Sequence, residues 1–130
     1  MAAPQADPAP VVLVVDDEPI VLRLMERVLA GAGYHVQSAP DGLTALGLTG
    51  QWSAPADLLV TDLRMPGLNG YELARRVTTM HPSVRVLLVS AADPEHSEPG
   101  WPFVRKPFSP EALLIAVEQL VGPDPHGRAA

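Results

Sequence analysis

The segment LLVTDLRMPGLNG, residues 58–70, decides how the chain is read. Leu58, Leu59 and Val60, followed by Thr61, form a run short and apolar enough for a strand buried on both faces. The run ends on an acid, Asp62. Met65-Pro66-Gly67 and Asn69-Gly70 come next, turn chemistry that neither extends a strand nor starts a helix early. Burying an unpaired carboxylate is costly, so an acid at the end of a buried strand needs a cation, donors or a reaction. Taken alone, Asp62 reads at least as well as a cap for the following turn.

A second segment with the same grammar shifts that balance. VVLVVDDEP, residues 11–19, has five apolar β-formers, then Asp16, Asp17 and Glu18, then Pro19 opening a helix. In open parallel sheets, ligands sit beyond the carboxyl ends of the strands, where strand order reverses. If strands one and three adjoin there, Asp16, Asp17 and Asp62 converge. Three carboxylates in one small pocket require a counter-ion. A hard divalent cation with oxygen ligands, most naturally Mg²⁺, answers the repulsion and leaves one carboxylate available as a nucleophile.

Composition narrows the classes. A chain of 130 residues is one domain with a core of its own, and its net charge of −6 argues against holding nucleic acid through a basic face. No apolar run approaches the length of a membrane span. Without cysteine there is no disulfide, thiolate metal site or Cys nucleophile, which is compatible with a cytoplasmic location.

In chain order, residues 1–10 are Ala/Pro-rich and read as a disordered leader. Strand one covers about 11–15. Helix one follows Pro19, with Ile20, Val21, Leu24, Met25, Val28 and Leu29 at helical spacing and Gly31 and Gly33 as stops. His35 to Ser38 alternates weakly, as a half-exposed strand does. Asp41-Gly42 turns into a short helix carrying Leu43 and Leu46. After strand three, Asn69 caps a helix with Leu73, Val77 and Met80 that ends before Pro82. Val84 to Val89 is strand four, and Phe103-Val104 a short fifth. Ser109-Pro110 caps and opens a last helix with Leu113, Leu114, Val117, Leu120 and Val121. Gly122 begins a short polar tail, 122–130. Strands alternating with helices predict a doubly wound parallel sheet covered on both faces.

Chemistry collects at one rim. Lys106 is the chain's single lysine among nine basic residues, which suggests that a compact, mobile ammonium is wanted at the end of the last strand. The alternative is an ordinary surface lysine. Ser90 ends strand four beside the small Ala91 and Ala92, so a hydroxyl and space for a phosphoryl group coincide, although serine after a strand is also a common turn residue. Phe103 is either core or, through its place near Lys106, a switch. His35, His81, His96 and His126 fit no metal spacing and are expected to be solvent-exposed. Three acids, one lysine and one hydroxyl suit phosphoryl transfer to a carboxylate, a reaction of positioning and charge neutralisation.

With VVDDEP, TDLRMPGLNG, the Ser90-Ala91 step and VRKPFSPEAL taken together, residues 11–121 resemble the receiver domain of two-component response regulators. The resemblance implies a five-stranded flavodoxin-like sheet of order 2-1-3-4-5. It implies Asp62 as phosphoacceptor and Asp16, Asp17, Asp62 and the Arg64 backbone carbonyl as ligands of Mg²⁺. Ser90 and Lys106 would hold the phosphoryl group, and Phe103 would be the aromatic that reorients on activation. A histidine kinase or histidine phosphotransfer protein would be the donor, and an unnamed downstream protein the target. Neither a membrane nor a nucleic-acid partner is expected.

The segment from Ala91 to Trp101 departs from the pattern. It is about the minimum length of a crossover, and Pro94, Pro99 and Pro102 break it up. The crossover helix between the fourth and fifth strands is therefore expected to be shortened or missing, and the chain monomeric. Two rival readings fit the residues less well. A haloacid-dehalogenase-type phosphatase wants D-x-D after the first strand, where this chain has Asp16-Asp17-Glu18. A binding-only receiver that never takes phosphate conflicts with the intact acids, Ser90 and Lys106.

Overall fold

The protein, described by a computed structural model over residues 9–91 and 100–122, is an α/β sandwich around one parallel sheet. Strands β1 (Val11–Val15), β2 (His35–Ala39), β3 (Leu58–Asp62), β4 (Arg85–Ser90) and β5 (Phe103–Arg105) lie in the order β2-β1-β3-β4-β5. Helices α1 (Pro19–Gly31), α2 (Gly42–Thr49), α3 (Gly70–Met80) and α4 (Pro110–Val121) connect and flank them. The predicted crossover stub falls on residues 92–99, outside the described residues, as do His96 and His126.

Burial on both faces explains the sheet's sequence. All five residues of β3 are buried, as are the last four of β1 and the last five of β4. One layer joins Val12, Val14, Leu58, Val60, Leu87 and Val89 to Met25 and Leu29 of α1 and Leu113 and Val117 of α4. The other joins Leu13, Val15, Leu59, Val86 and Leu88 to Ala45 of α2 and Leu73, Ala74 and Val77 of α3. Alternate residues of each strand feed opposite layers, as the two-residue period requires.

Helix starts follow their caps. Asp41, Asn69 and Ser109 each accept a backbone N–H three residues on, from Thr44 at 2.7 Å, Glu72 at 2.8 Å and Ala112 at 3.1 Å. Four of the apolar residues at helical spacing, Ile20, Leu24, Leu43 and Met80, lie outside the core. Ile20 is 84% exposed, and the core side of α1 is carried by Met25 and Leu29. Leu43 and Met80 are also exposed. Helix α2 packs through the small residues Gly42, Ala45 and Thr49, because at Gly42 a side chain would run into Leu68 of the β3–α3 loop. His81 is half-buried, its ring tilted against Trp52 at 5.2 Å, whereas His35 is exposed as expected.

At the chain's edges, Ala9 is buried, and Pro10 accepts the His35 N–H at 3.0 Å through its carbonyl. The Tyr34 hydroxyl donates to the Gly122 carbonyl at 2.8 Å. Among the described residues no helix is long and apolar enough to cross a membrane.

Candidate functional site

Parallel strands bring all their carboxyl ends to one edge, and the register places the acids there. Val15 pairs with Thr61, so Asp16 and Asp62 follow side by side on β1 and β3. Asp62 in turn pairs with Val89, one residue before Ser90. Ser90 pairs with Arg105, and the Lys106 N–H donates to the Ser90 carbonyl at 2.7 Å. Lys106 precedes a cis proline, Pro107.

The Lys106 ammonium stands among three carboxylates. Its Nζ lies 2.9 Å from Asp16 Oδ2, 3.0 Å from Glu18 Oε1 and 3.3 Å from Asp62 Oδ2. Asp16 is fully buried and Asp62 5% exposed. The Glu18 N–H donates to Asp16 Oδ1 at 2.8 Å, and the Arg64 N–H reaches Asp62 Oδ1 at 3.4 Å. Asp17, exposed, completes the cluster: Asp16, Asp17 and Asp62 each offer a carboxylate oxygen within 4.8 Å of the others.

These residues fit a hard divalent cation. The donor set is all oxygen, as Mg²⁺ demands. Asp16 Oδ2 is buried and makes no hydrogen bond of good geometry, its ion pair with Lys106 notwithstanding. One ammonium faces three carboxylates, which leaves negative charge in excess.

Protonation equilibria record the same excess. Burial pushes the Asp62 carboxyl up to about 6, with the Asp16 charge adding to the rise and Lys106 opposing it. Burial also raises Asp16, against the hydrogen-bonding pull of Lys106 and the Glu18 N–H. For Lys106, burial alone would lower the ammonium's pKa, but Asp16 and Glu18 outweigh it and the net shift is upward.

The backbone of Asp62 is set by a close approach. The Gly70 N–H donates to the Leu63 carbonyl at 2.9 Å. A Cβ at Gly70 would overlap the Asp62 carbonyl oxygen and lie 2.8 Å from its carbonyl carbon. In an open helix position Gly→Ala gains up to ~1 kcal/mol. Here the overlap is with backbone and wins. Gly70→Ala is expected to destabilise the fold by ~1–3 kcal/mol, read by thermal melting, and an unchanged or raised melting temperature would contradict the close approach.

The structure brings together Asp16, Asp17, Asp62 and Lys106, with Arg64 two residues beyond Asp62 and Ser90 buried on the adjacent strand end. Phe103, 40% exposed, lies opposite Leu88 on the sheet-edge strand β5. Sequence reasoning assigned no role to Glu18 or Gly70. Glu18 carried the signal of a third consecutive acid, but its contact with Lys106 spans 88 residues. Gly70 reads as an ordinary turn residue.

The family model for the response regulator receiver domain matches residues 12–118. The chain is 30% identical over 124 residues to the probable transcriptional regulatory protein TcrX of Mycobacterium tuberculosis, covering 90% of this chain and 52% of that one. It is 29% identical to the response regulator receiver protein CpdR of Brucella abortus, covering 85% and 95%. Among solved structures, the receiver domain of the hybrid histidine kinase CckA is 31% identical, covers 85% of this chain and 98% of that one, and superposes with a TM-score of 0.76. The chain spans about half or less of the length of the first curated relatives it matches.

Proposed function

Because the chain belongs to the response regulator receiver family and so is a phosphoacceptor module of two-component signalling, we propose that Asp62 is the residue phosphorylated. The observation that carries this is the Lys106 ammonium, held within 3.3 Å of a buried carboxylate at the end of the central strand. One Asp62 oxygen attacks the phosphorus of a phosphohistidine. The new O–P bond forms as the N–P bond breaks, and the imidazole nitrogen keeps the electron pair. Lys106 takes one phosphoryl oxygen, and the Ser90 hydroxyl donates to another.

Asp16, Asp17, Asp62 and the Arg64 carbonyl would hold Mg²⁺, which when bound supplies neutralisation of the clustered carboxylates and the phosphoryl oxygens. Phe103 is the aromatic that changes place on activation, and its partial exposure on an edge strand supports that mobility. The domain promotes its own phosphorylation and hydrolysis without acting as a turnover enzyme on other substrates. The donor is a histidine kinase or histidine phosphotransfer protein, in the cytoplasm, and the chain works as a monomer on an unidentified downstream protein. The net charge of −6 supports a domain without direct nucleic-acid contact.

Incubated with Mg²⁺ and acetyl phosphate, the protein is expected to gain one acid-stable, base-labile phosphoryl group. Asp62→Asn is expected to reduce labelling by at least about 100-fold, since removing a nucleophile removes the covalent route altogether. Full labelling of that variant would overturn the assignment.

A further inference from the structure

An ammonium has three protons to donate; that of Lys106 donates a hydrogen bond to Glu18 Oε1 and forms ion pairs with Asp16 and Asp62. Asp16, Glu18 and Asp62 lie 2.9, 3.0 and 3.3 Å from Nζ. Under the phosphoacceptor reading, on which this inference rests, a phosphoryl oxygen on Asp62 must take one of those protons. The ammonium then turns from one of the carboxylates it holds.

The three differ in what leaving would cost. Asp16 is fully buried and pinned by the Glu18 N–H through its other oxygen. Asp62 carries the phosphoryl group itself. The Glu18 side chain is 61% exposed, so its carboxylate returns to water with little desolvation to overcome. Glu18 is also the N-cap residue of α1, yet its side chain makes no capping hydrogen bond and reaches across to Lys106 instead. A cavity of about 350 Å³ lined by Glu18, Val21, Leu24, Ala91, Lys106 and Phe108 adjoins the pair.

We propose that Glu18 is a latch on Lys106: it occupies the ammonium in the unphosphorylated protein, is displaced by the incoming phosphoryl oxygen, and thereby slows phosphorylation of Asp62. Glu18 touches no reacting atom. It is a positioning residue acting through Lys106.

The test measures the rate of phosphorylation by acetyl phosphate with Mg²⁺ in wild type, Glu18→Gln and Glu18→Asp. The Asp62 oxygen bonds to phosphorus and acetate leaves with the electrons of the broken P–O bond. Both variants are expected to react about two- to fivefold faster, the range set by breaking an ion pair with one exposed partner. Glu18→Asp keeps the charge but withdraws the carboxylate by one methylene, so it separates a latch from repulsion of the anionic donor. A second readout is beryllofluoride affinity with Mg²⁺, followed by tryptophan fluorescence, which is expected to tighten by a similar factor in both variants. Acceleration in Glu18→Gln alone would show charge repulsion and overturn the latch. Equal or slower rates in both would also overturn it. A wild-type protein that takes no label would instead overturn the phosphoacceptor reading, and the latch with it.

Discussion

Lys106→Gln is expected to lower the stability of the metal-free protein at pH 7 by ~3 kcal/mol, the lower end of the cost of removing one partner from a buried ion pair. The lysine side chain is 12% exposed and faces Asp16 at 0% and Asp62 at 7%. Glutamine is of similar length, so lost packing is a small part of the effect. Without the ammonium, Asp16 and Asp62 repel across a site with little water to screen them. The lower end of the range applies because Asp62, already pushed up to about 6, escapes part of the repulsion by taking a proton. For a domain of this size the melting temperature should fall by roughly 10 °C. The loss should shrink toward pH 4, where Asp62 is protonated. A change of only a degree or two at pH 7 would mean that Lys106 is an ordinary surface residue.

Replacing the acid itself should have the opposite sign. An acid whose folded-state pKa lies above its unfolded value binds more protons in the native state, so stability falls as pH rises between the two values. For Asp62 that window runs from 3.8 to about 6, and the full penalty persists above it. About two units correspond to ~3 kcal/mol. Asp62→Asn, which cannot ionise, should therefore melt higher than wild type in chelator at pH 7–8 by up to that amount, and the advantage should vanish below pH 4. Added Mg²⁺ should favour the wild type instead, by ~2.7 kcal/mol at a hundred times its dissociation constant. Equal melting of the two proteins in chelator across pH 4–8 would show that the carboxylates are not crowded.

These opposite effects come from residues legible in the sequence. Strand-end acids after VVLVV and LLVT converge because β1 and β3 adjoin, an adjacency that the resemblance to receiver domains implies and that alternating strands and helices alone leave open. Lys106 stood out as the single lysine. Other features depend on shape, which local pattern does not encode. Helix α2 buries Gly42, Ala45 and Thr49 while Leu43 faces water, since close approach to Leu68 selects for smallness over hydrophobicity. Helix α1 leaves Ile20 exposed and buries Met25 and Leu29 instead. Glu18 and Gly70 act through neighbours distant or backward in sequence, Lys106 and Asp62. Neither contact leaves a periodic trace.

The central claim, that the Asp62 carboxylate carries the phosphoryl group, is tested most directly by chemical trapping. Acyl phosphates are reduced by borohydride to the alcohol, so an aspartyl phosphate becomes homoserine while free carboxylates survive. Protein treated with acetyl phosphate and Mg²⁺, then borohydride, is digested and sequenced by mass spectrometry. The expected result is homoserine at position 62 alone, absent when the phosphodonor or Mg²⁺ is omitted. Homoserine at Asp16 or Asp17 with position 62 intact would contradict the account.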